Sequence, residues 1–316
     1  MYKVGIIGLN FGGNVHIPAY LMSKDFEITG LYENGSGKSE LLKRKFLLNC
    51  KIYKDLDKMI KSKRNNLIDV CSPTFTHSYY LKKILNEKKN VICEKPMGKN
   101  FSEIDGIAMK FRKKKLLNII NYEFRYEPLM NQLKKYIKCN NKIKKIKIDW
   151  LIKSKKNDGW KADISKGGGV VNELLSHVID YIFYLFDLKE KKSLICVNKN
   201  ISINDCNLIL RIKKIKIEIN ILRSLHIKSS KHSIHIENIN SSANLIYFHP
   251  FSSHDKILTI KSSRKKKDIK NIEKKKIKDD RILSFYNLLE SIKKKGSYQS
   301  DFKNGEMIRR FLDGLI

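Results

Sequence analysis

Lys3-Val4-Gly5-Ile6-Ile7-Gly8-Leu9-Asn10-Phe11-Gly12-Gly13 opens the chain and decides how the rest is read. Lys3 to Gly8 is an apolar run of the length of a short buried parallel strand. A glycine-bearing turn follows, and then a helical pattern through Tyr20, Leu21 and Met22. Strand, glycine turn and helix in that order form the context that a dinucleotide-binding fingerprint requires. Amides exposed at the helix start, helped by the helix dipole, suit a pyrophosphate. Gly8 and Gly13 hold the first and third positions of G-x-G-x-x-G, while Asn10 holds the second. Asn tolerates left-handed backbone better than most residues, yet it has a side chain where phosphates approach. Gly8, Asn10, Phe11, Gly12 and Gly13 are therefore the candidate phosphate contacts.

A second strand runs from Phe26 to Tyr32 and ends at Glu33. An acid at that distance can grip a ribose 2′-hydroxyl, which favours NAD over NADP because a 2′-phosphate would meet like charge. The alternative is a solvated loop acid, and Lys38 lies close enough to accommodate NADP. Farther on, the apolar run Val91-Ile92-Cys93 stops in Glu94-Lys95-Pro96. Proline cannot donate to a sheet ladder, so the strand ends there. Lys95 then sits at the carboxyl end of a strand, where open α/β sheets bind ligands. A strand simply reaching solvent would look the same.

Strands alternating with helices continue to about residue 121, which predicts a parallel, doubly wound sheet over residues 1–121. Its strands are expected at Lys3–Gly8, Glu27–Tyr32, Leu67–Ser72, Asn90–Cys93 and Leu117–Asn121. Helices are expected after Asn14, over Lys38–Leu48 and Phe75–Asn86, and from Ser102 as N-cap. Residues 122–316 read as a second α/β domain. A helix from Tyr126 or Glu127 to Lys138 and a strand from Lys144 to Lys153 open it. Gly167-Gly168-Gly169 then feeds a helix from Val170 to Phe186. Successive strands over 193–260, joined by short polar turns, predict a large and mostly antiparallel sheet. Arg281–Lys294 and Lys303–Leu312 are closing helices, and Arg264 to Lys278 reads as a long loop or a hairpin extension.

No apolar run approaches the length of a membrane span, and the amino terminus enters a strand directly. Cys50, Cys71, Cys93, Cys139, Cys196 and Cys206 form no C-x-x-C pair, so neither a zinc site nor a disulfide framework is expected. Both readings point to a cytoplasmic protein without a membrane partner. The formal net charge of +33 raises the question of nucleic acid. Lysine, isoleucine and asparagine are over-used throughout, few basic residues are Arg, and no basic run is interleaved with aromatics as a base-stacking surface would be. Compositional drift toward residues of AT-rich codons accounts for the charge better than a nucleic-acid partner does.

With these motifs in place, the chain resembles the glucose–fructose oxidoreductase/inositol dehydrogenase (Gfo/Idh/MocA) family. The resemblance is carried by the glycine turn with Val15-His16-Ile17-Pro18-Ala19 and by Asp69-Val70-Cys71-Ser72-Pro73-Thr74 followed by His77. Glu94-Lys95-Pro96 carries it too, as does the triple glycine followed by Glu173, His177 and Asp180. It implies an NAD(P)-dependent dehydrogenase of a sugar, polyol or sugar nucleotide, with an amino-terminal Rossmann domain and a substrate domain that often makes subunit contacts. A homodimer or homotetramer follows. His177 is the candidate base, with Glu173 one helical turn earlier to orient it. A Glu–His surface pair would show the same spacing. Lys95 would stabilise charge on the reacting oxygen or orient the nicotinamide ribose, with a cis peptide before Pro96. Ser72, Pro73, Thr74, His77 and Glu94 would line the cofactor cleft. Arg125, Trp160, Lys161 and Asp180 would border the substrate, although Arg125 could equally serve an interdomain salt bridge. Glu173 replaces the family's usual Asp, and Leu175 stands where a glycine is common. The competing readings are a non-catalytic NAD(P)-binding sensor of the same fold and a nucleic-acid-binding protein.

Overall fold

The structure is a computed structural model that describes residues 1–33, 35–140, 142–154, 159–248, 256–262, 266–270, 279–293 and 300–316. Contacts divide the chain into two units, residues 1–123 with 285–309, and residues 124–284 with 310–316. The chain passes from the first unit to the second at 123/124, returns at 284/285 and leaves again at 309/310. Phe302 and Ile308, in the helix Phe302–Asp313, are fully buried in that returning segment.

In the first unit six parallel strands form one sheet: β1 (Tyr2–Ile7), β2 (Phe26–Tyr32), β3 (Lys51–Tyr53), β4 (Leu67–Val70), β5 (Asn90–Glu94) and β6 (Asn118–Asn121). Their order is β3-β2-β1-β4-β5-β6. The strand order reverses between β1 and β4, and open sheets of this kind bind nucleotides at that point. Burial explains the apolar runs: Leu67, Ile68 and Val70 are fully buried, as the strands of a sheet covered on both faces require. β3 is three residues long, with Lys51 exposed, and carries no periodic signal. The helix expected from a Ser102 cap is instead Phe101–Ile104, capped by Asn100, whose Oδ1 accepts from the Glu103 amide at 3.0 Å. Ser102 lies inside the helix, and its hydroxyl donates to the same Asn100 Oδ1 at 2.9 Å.

The second unit holds an eight-stranded sheet: β7 (Ile143–Lys153), β8 (Ile195–Ile201), β9 (Asp205–Ile212), β10 (Ile215–Ser224), β11 (Lys231–Asn238), β12 (Ser241–Tyr247), β13 (Lys256–Ser262) and β14 (Lys266–Lys270). Their order is β14-β13-β12-β11-β7-β10-β9-β8, antiparallel except for the β7–β10 pair. β14 realises the hairpin extension over 266–270, while 263–265 and 271–278 lie outside the described residues, as does Lys294. Alternation sorts each strand into an inner and an outer face. Across the inner face, Trp150 pairs with Ile221 and His232, His232 with Tyr247, and Tyr247 with Lys256. Trp150 stacks on His232 at 4.3 Å and His232 on Tyr247 at 5.2 Å. The helix Ser176–Leu185 is buried along its whole length.

Candidate functional site

In the first unit, Gly8 has φ +91°, and a Cβ on it would lie 2.5 Å from the Cys71 carbonyl carbon and the Ser72 amide nitrogen. Only glycine allows β1 to end so close to the strand beside it. The chain then enters a π-helical turn, Gly12–His16, continued by the helix Ile17–Leu21. Asn10 is exposed, and its Oδ1 accepts from the Lys38 ammonium. Glu33 ends β2. Its Oε2 accepts from the Ser36 hydroxyl and from the Lys38 and Ser39 amides at 2.7, 2.8 and 3.1 Å. Slight burial raises its pKa, but these hydrogen bonds outweigh it and lower the carboxyl below its ordinary range.

Beneath the strand ends lies a buried polar cluster that sequence reading left unassigned. His16 Nδ1 meets Asp69 Oδ2 at 2.7 Å, and its Nε2 meets Glu94 Oε1 at 3.0 Å. Carboxylates only accept, so both ring nitrogens donate and the ring is an imidazolium. Burial pulls its pKa down, but Asp69 and Glu94 together raise it to about 9. Cys71 Sγ lies 3.1 Å from Nδ1, and Asn121 Nδ2 donates to Glu94 at 2.5 Å. The ring of His16 stacks on Phe285 at 3.6 Å. The cluster ties the fingerprint turn to β4, β5 and β6. The signal for it was a charged residue, Asp69, inside the apolar strand Leu67–Val70.

Lys95 follows Glu94, is half-buried, and forms a cis peptide with Pro96. His77 spans the two loops that flank it: Nδ1 lies 2.8 Å from the Pro96 carbonyl and Nε2 2.8 Å from the Ser72 carbonyl. Both partners accept, while burial pushes the ring's pKa down. At neutral pH one contact is a hydrogen bond, and both become so on protonation. His77 therefore acts on the Ser72 and Pro96 backbone. Pro73 precedes the helix Thr74–Asn86, in which Thr74 is buried, and the Ser72 and Thr76 hydroxyls meet at 2.6 Å.

In the second unit, Gly168 packs so tightly that a Cβ would lie 2.4 Å from the Lys161 carbonyl oxygen. The Gly169 amide donates to that same oxygen at 2.8 Å. These contacts fold Trp160 and Lys161 onto the turn that starts the π-helical segment Val171–Leu175. Glu173 lies on that segment and forms ion pairs with Lys161 at 3.4 Å and Arg223 at 3.2 Å. Arg223 was missed by sequence reading. His177 is 5 % exposed, edge-on to Phe124 at 5.2 Å and tilted against Trp150 at 6.0 Å. Arg125 and Asp180 form a buried pair inside this unit, with Nε 3.0 Å and Nη2 2.6 Å from the carboxylate. Burial pushes the Asp180 carboxyl up to about 6 while Arg125 opposes it, so it is ionised at neutral pH.

A six-stranded sheet of dinucleotide-binding order in one unit and a large, mostly antiparallel sheet in the other define a two-unit α/β protein. Residues 2–122 match the oxidoreductase family with an NAD-binding Rossmann fold, GFO_IDH_MocA. The chain is 29 % identical over 189 residues to an uncharacterized oxidoreductase, sll0816, of Synechocystis, covering 58 % of this chain and 51 % of that protein. It is 28 % identical over 196 residues to the glucose-6-phosphate 3-dehydrogenase of Bacillus subtilis, covering 59 % of this chain and 54 % of that enzyme. The matches thus span about half the length of these curated relatives. A levoglucosan dehydrogenase solved with NADH and levoglucosan shares the fold at TM-score 0.82 and 16 % identity, covering 99 % of this chain and 96 % of that one. Among the described residues, no helix is long and apolar enough to cross a membrane.

Proposed function

We propose that the chain is a dehydrogenase of a sugar or polyol, using NAD in preference to NADP. The observation that carries this reading is Lys95, an ammonium at the carboxyl end of β5 in a sheet whose order and family match are those of dinucleotide binding. The residues present fit the nucleotide. All three hydrogen bonds to Glu33 fall on Oε2, so among the described residues Oε1 is left to accept from a ribose 2′-hydroxyl. The turn over residues 8–13 brings Gly8, Asn10, Phe11, Gly12 and Gly13 to the pyrophosphate. Bound nicotinamide supplies the hydride acceptor. In the second unit His177 is the candidate base for a reacting hydroxyl, with Glu173 holding the charge balance; in the first unit Lys95 is the candidate cation at the nicotinamide end of the nucleotide site. His77 keeps the loops around Ser72, Pro73 and Thr74 in register, and Glu94 fixes the strand end that carries Lys95. Arg125 and Asp180 brace the catalytic helix. Glucose-6-phosphate 3-dehydrogenase and levoglucosan dehydrogenase among the relatives support a carbohydrate as substrate.

Calorimetric titration with NADH and NADPH tests the cofactor half. NADH is expected to bind at least about tenfold more tightly, a difference on the order of 1.4 kcal/mol. Binding of neither nucleotide overturns the reading. On a sugar and polyol panel, Lys95→Met is expected to lower turnover by about a hundredfold or more while changing NADH affinity only about twofold. Unchanged turnover removes Lys95 from the mechanism.

A further inference from the structure

On the inner face of β10, Ile217, Ile219 and Ile221 are each fully buried, and the next inward position is Arg223, 7 % exposed. An arginine at the end of an isoleucine row is costly to bury unless paired. Its one side-chain partner among the described residues is Glu173, reached from Nη2 at 3.2 Å. Lys161 meets the same carboxylate oxygen at 3.4 Å. Two cations therefore converge on one carboxylate, leaving one positive charge in surplus. A guanidinium carries five N–H donors in a planar fork that matches carboxylate or phosphate oxygens. The Arg223 side chain is 6 % exposed. Lys161 is 51 % exposed at its side chain, and its backbone is pinned by the Gly169 bond.

We propose that Arg223, seconded by Lys161, reads an anionic substituent of the substrate, a carboxylate or a phosphate ester on the sugar. The inference rests on the dehydrogenase reading, in which Glu173 and His177 face the carbohydrate. The fork of Arg223 supplies its remaining donors to the anion, and the surplus charge offsets it. A neutral polyol would leave that charge uncompensated.

The test is calorimetric titration of the full chain, with and without NADH, against glucose, glucuronate, glucose 6-phosphate and myo-inositol. An anionic sugar is expected to bind at least about tenfold more tightly than its neutral counterpart. Preference for glucuronate assigns a carboxylate, and preference for glucose 6-phosphate assigns a phosphate ester. Arg223→Gln is expected to abolish the preference, lowering affinity for the anionic sugar about tenfold or more. Lys161→Gln, at an exposed side chain, is expected to weaken the preference severalfold without altering the far-ultraviolet spectrum, so the proposal does not depend on the folding of the Arg223 variant. Equal affinity for anionic and neutral sugars, binding of neither, or a preference that survives both substitutions overturns it. A chain that binds NADH but shows no anion preference loses this proposal alone. A chain that binds no nicotinamide nucleotide loses the dehydrogenase reading, while the sugar titrations still decide Arg223.

Discussion

An imidazole held between two buried carboxylates is stable only as a cation, and His16 is so held by Asp69 and Glu94. Its pKa of about 9 in the fold stands above the ordinary 6.5. A histidine whose folded pKa is raised contributes stability that is fully present below the unfolded pKa and lost as pH rises through the folded one. The stabilisation is therefore complete below about pH 6.5 and declines toward pH 9. A gap of that size corresponds to roughly 3–4 kcal/mol. Urea unfolding at a series of pH values from 6 to 10 should show this decline in the wild type, and His16→Gln should flatten it. An identical slope in both proteins would assign the loss to other groups. At the same scale, the motif readings around Gly8 and Lys95 needed only residue type and order. Asp69 inside an apolar strand and Arg223 at the end of an isoleucine row were equally visible as misplaced charges, but neither names its partner. Partners so far apart in sequence are set by tertiary packing, which periodicity does not encode.

Elements were legible where their period was long. The buried parallel strands and the alternating strand β7 carry enough repeats to separate one face from the other, whereas three-residue β3 does not. The π-helical turns Gly12–His16 and Val171–Leu175 were invisible because a helical pattern of side chains reads alike through one wider turn. Gly168 lies three residues before the second of these turns, and its geometry gives a test at the element scale. Gly168→Ala forces the backbone away from the Lys161 carbonyl, because a Cβ at 2.4 Å cannot be accommodated. Overpacking of this kind costs about 1–3 kcal/mol. It also displaces Lys161 and the start of the segment bearing Glu173. The fingerprint and Glu33 lie in residues 1–123, so NADH affinity should stay within about twofold, while kcat/KM on the preferred sugar falls about tenfold or more. An unchanged kcat/KM would show that the glycine turn positions nothing the reaction needs.

At the scale of the whole molecule, the net charge of +33 sets a condition that no single contact removes. Acids are few enough that several serve more than one lysine: Asp187 meets Lys134 and Lys138, and Glu218 meets Lys145 and Lys216. Exposed pairs of this sort contribute little, about 0–1 kcal/mol each. The remaining lysines repel one another, and repulsion of that kind disfavours the compact state. Screening shortens the range of the field from about 30 Å at 0.01 M salt to about 8 Å at 0.15 M. Net repulsion is thereby weakened more than the short ion pairs, whose charges lie within 4 Å of each other. Raising sodium chloride from about 0.01 to 0.15 M should therefore raise Tm by a few degrees. The same screening should slow the association of anionic NADH, which the positive field accelerates at low salt. Differential scanning calorimetry and stopped-flow nucleotide fluorescence across that range measure the two effects independently. A Tm that falls with salt would mean that the ion pairs outweigh the repulsion, and the lysine excess would then be a source of stability rather than a burden that the two sheets carry.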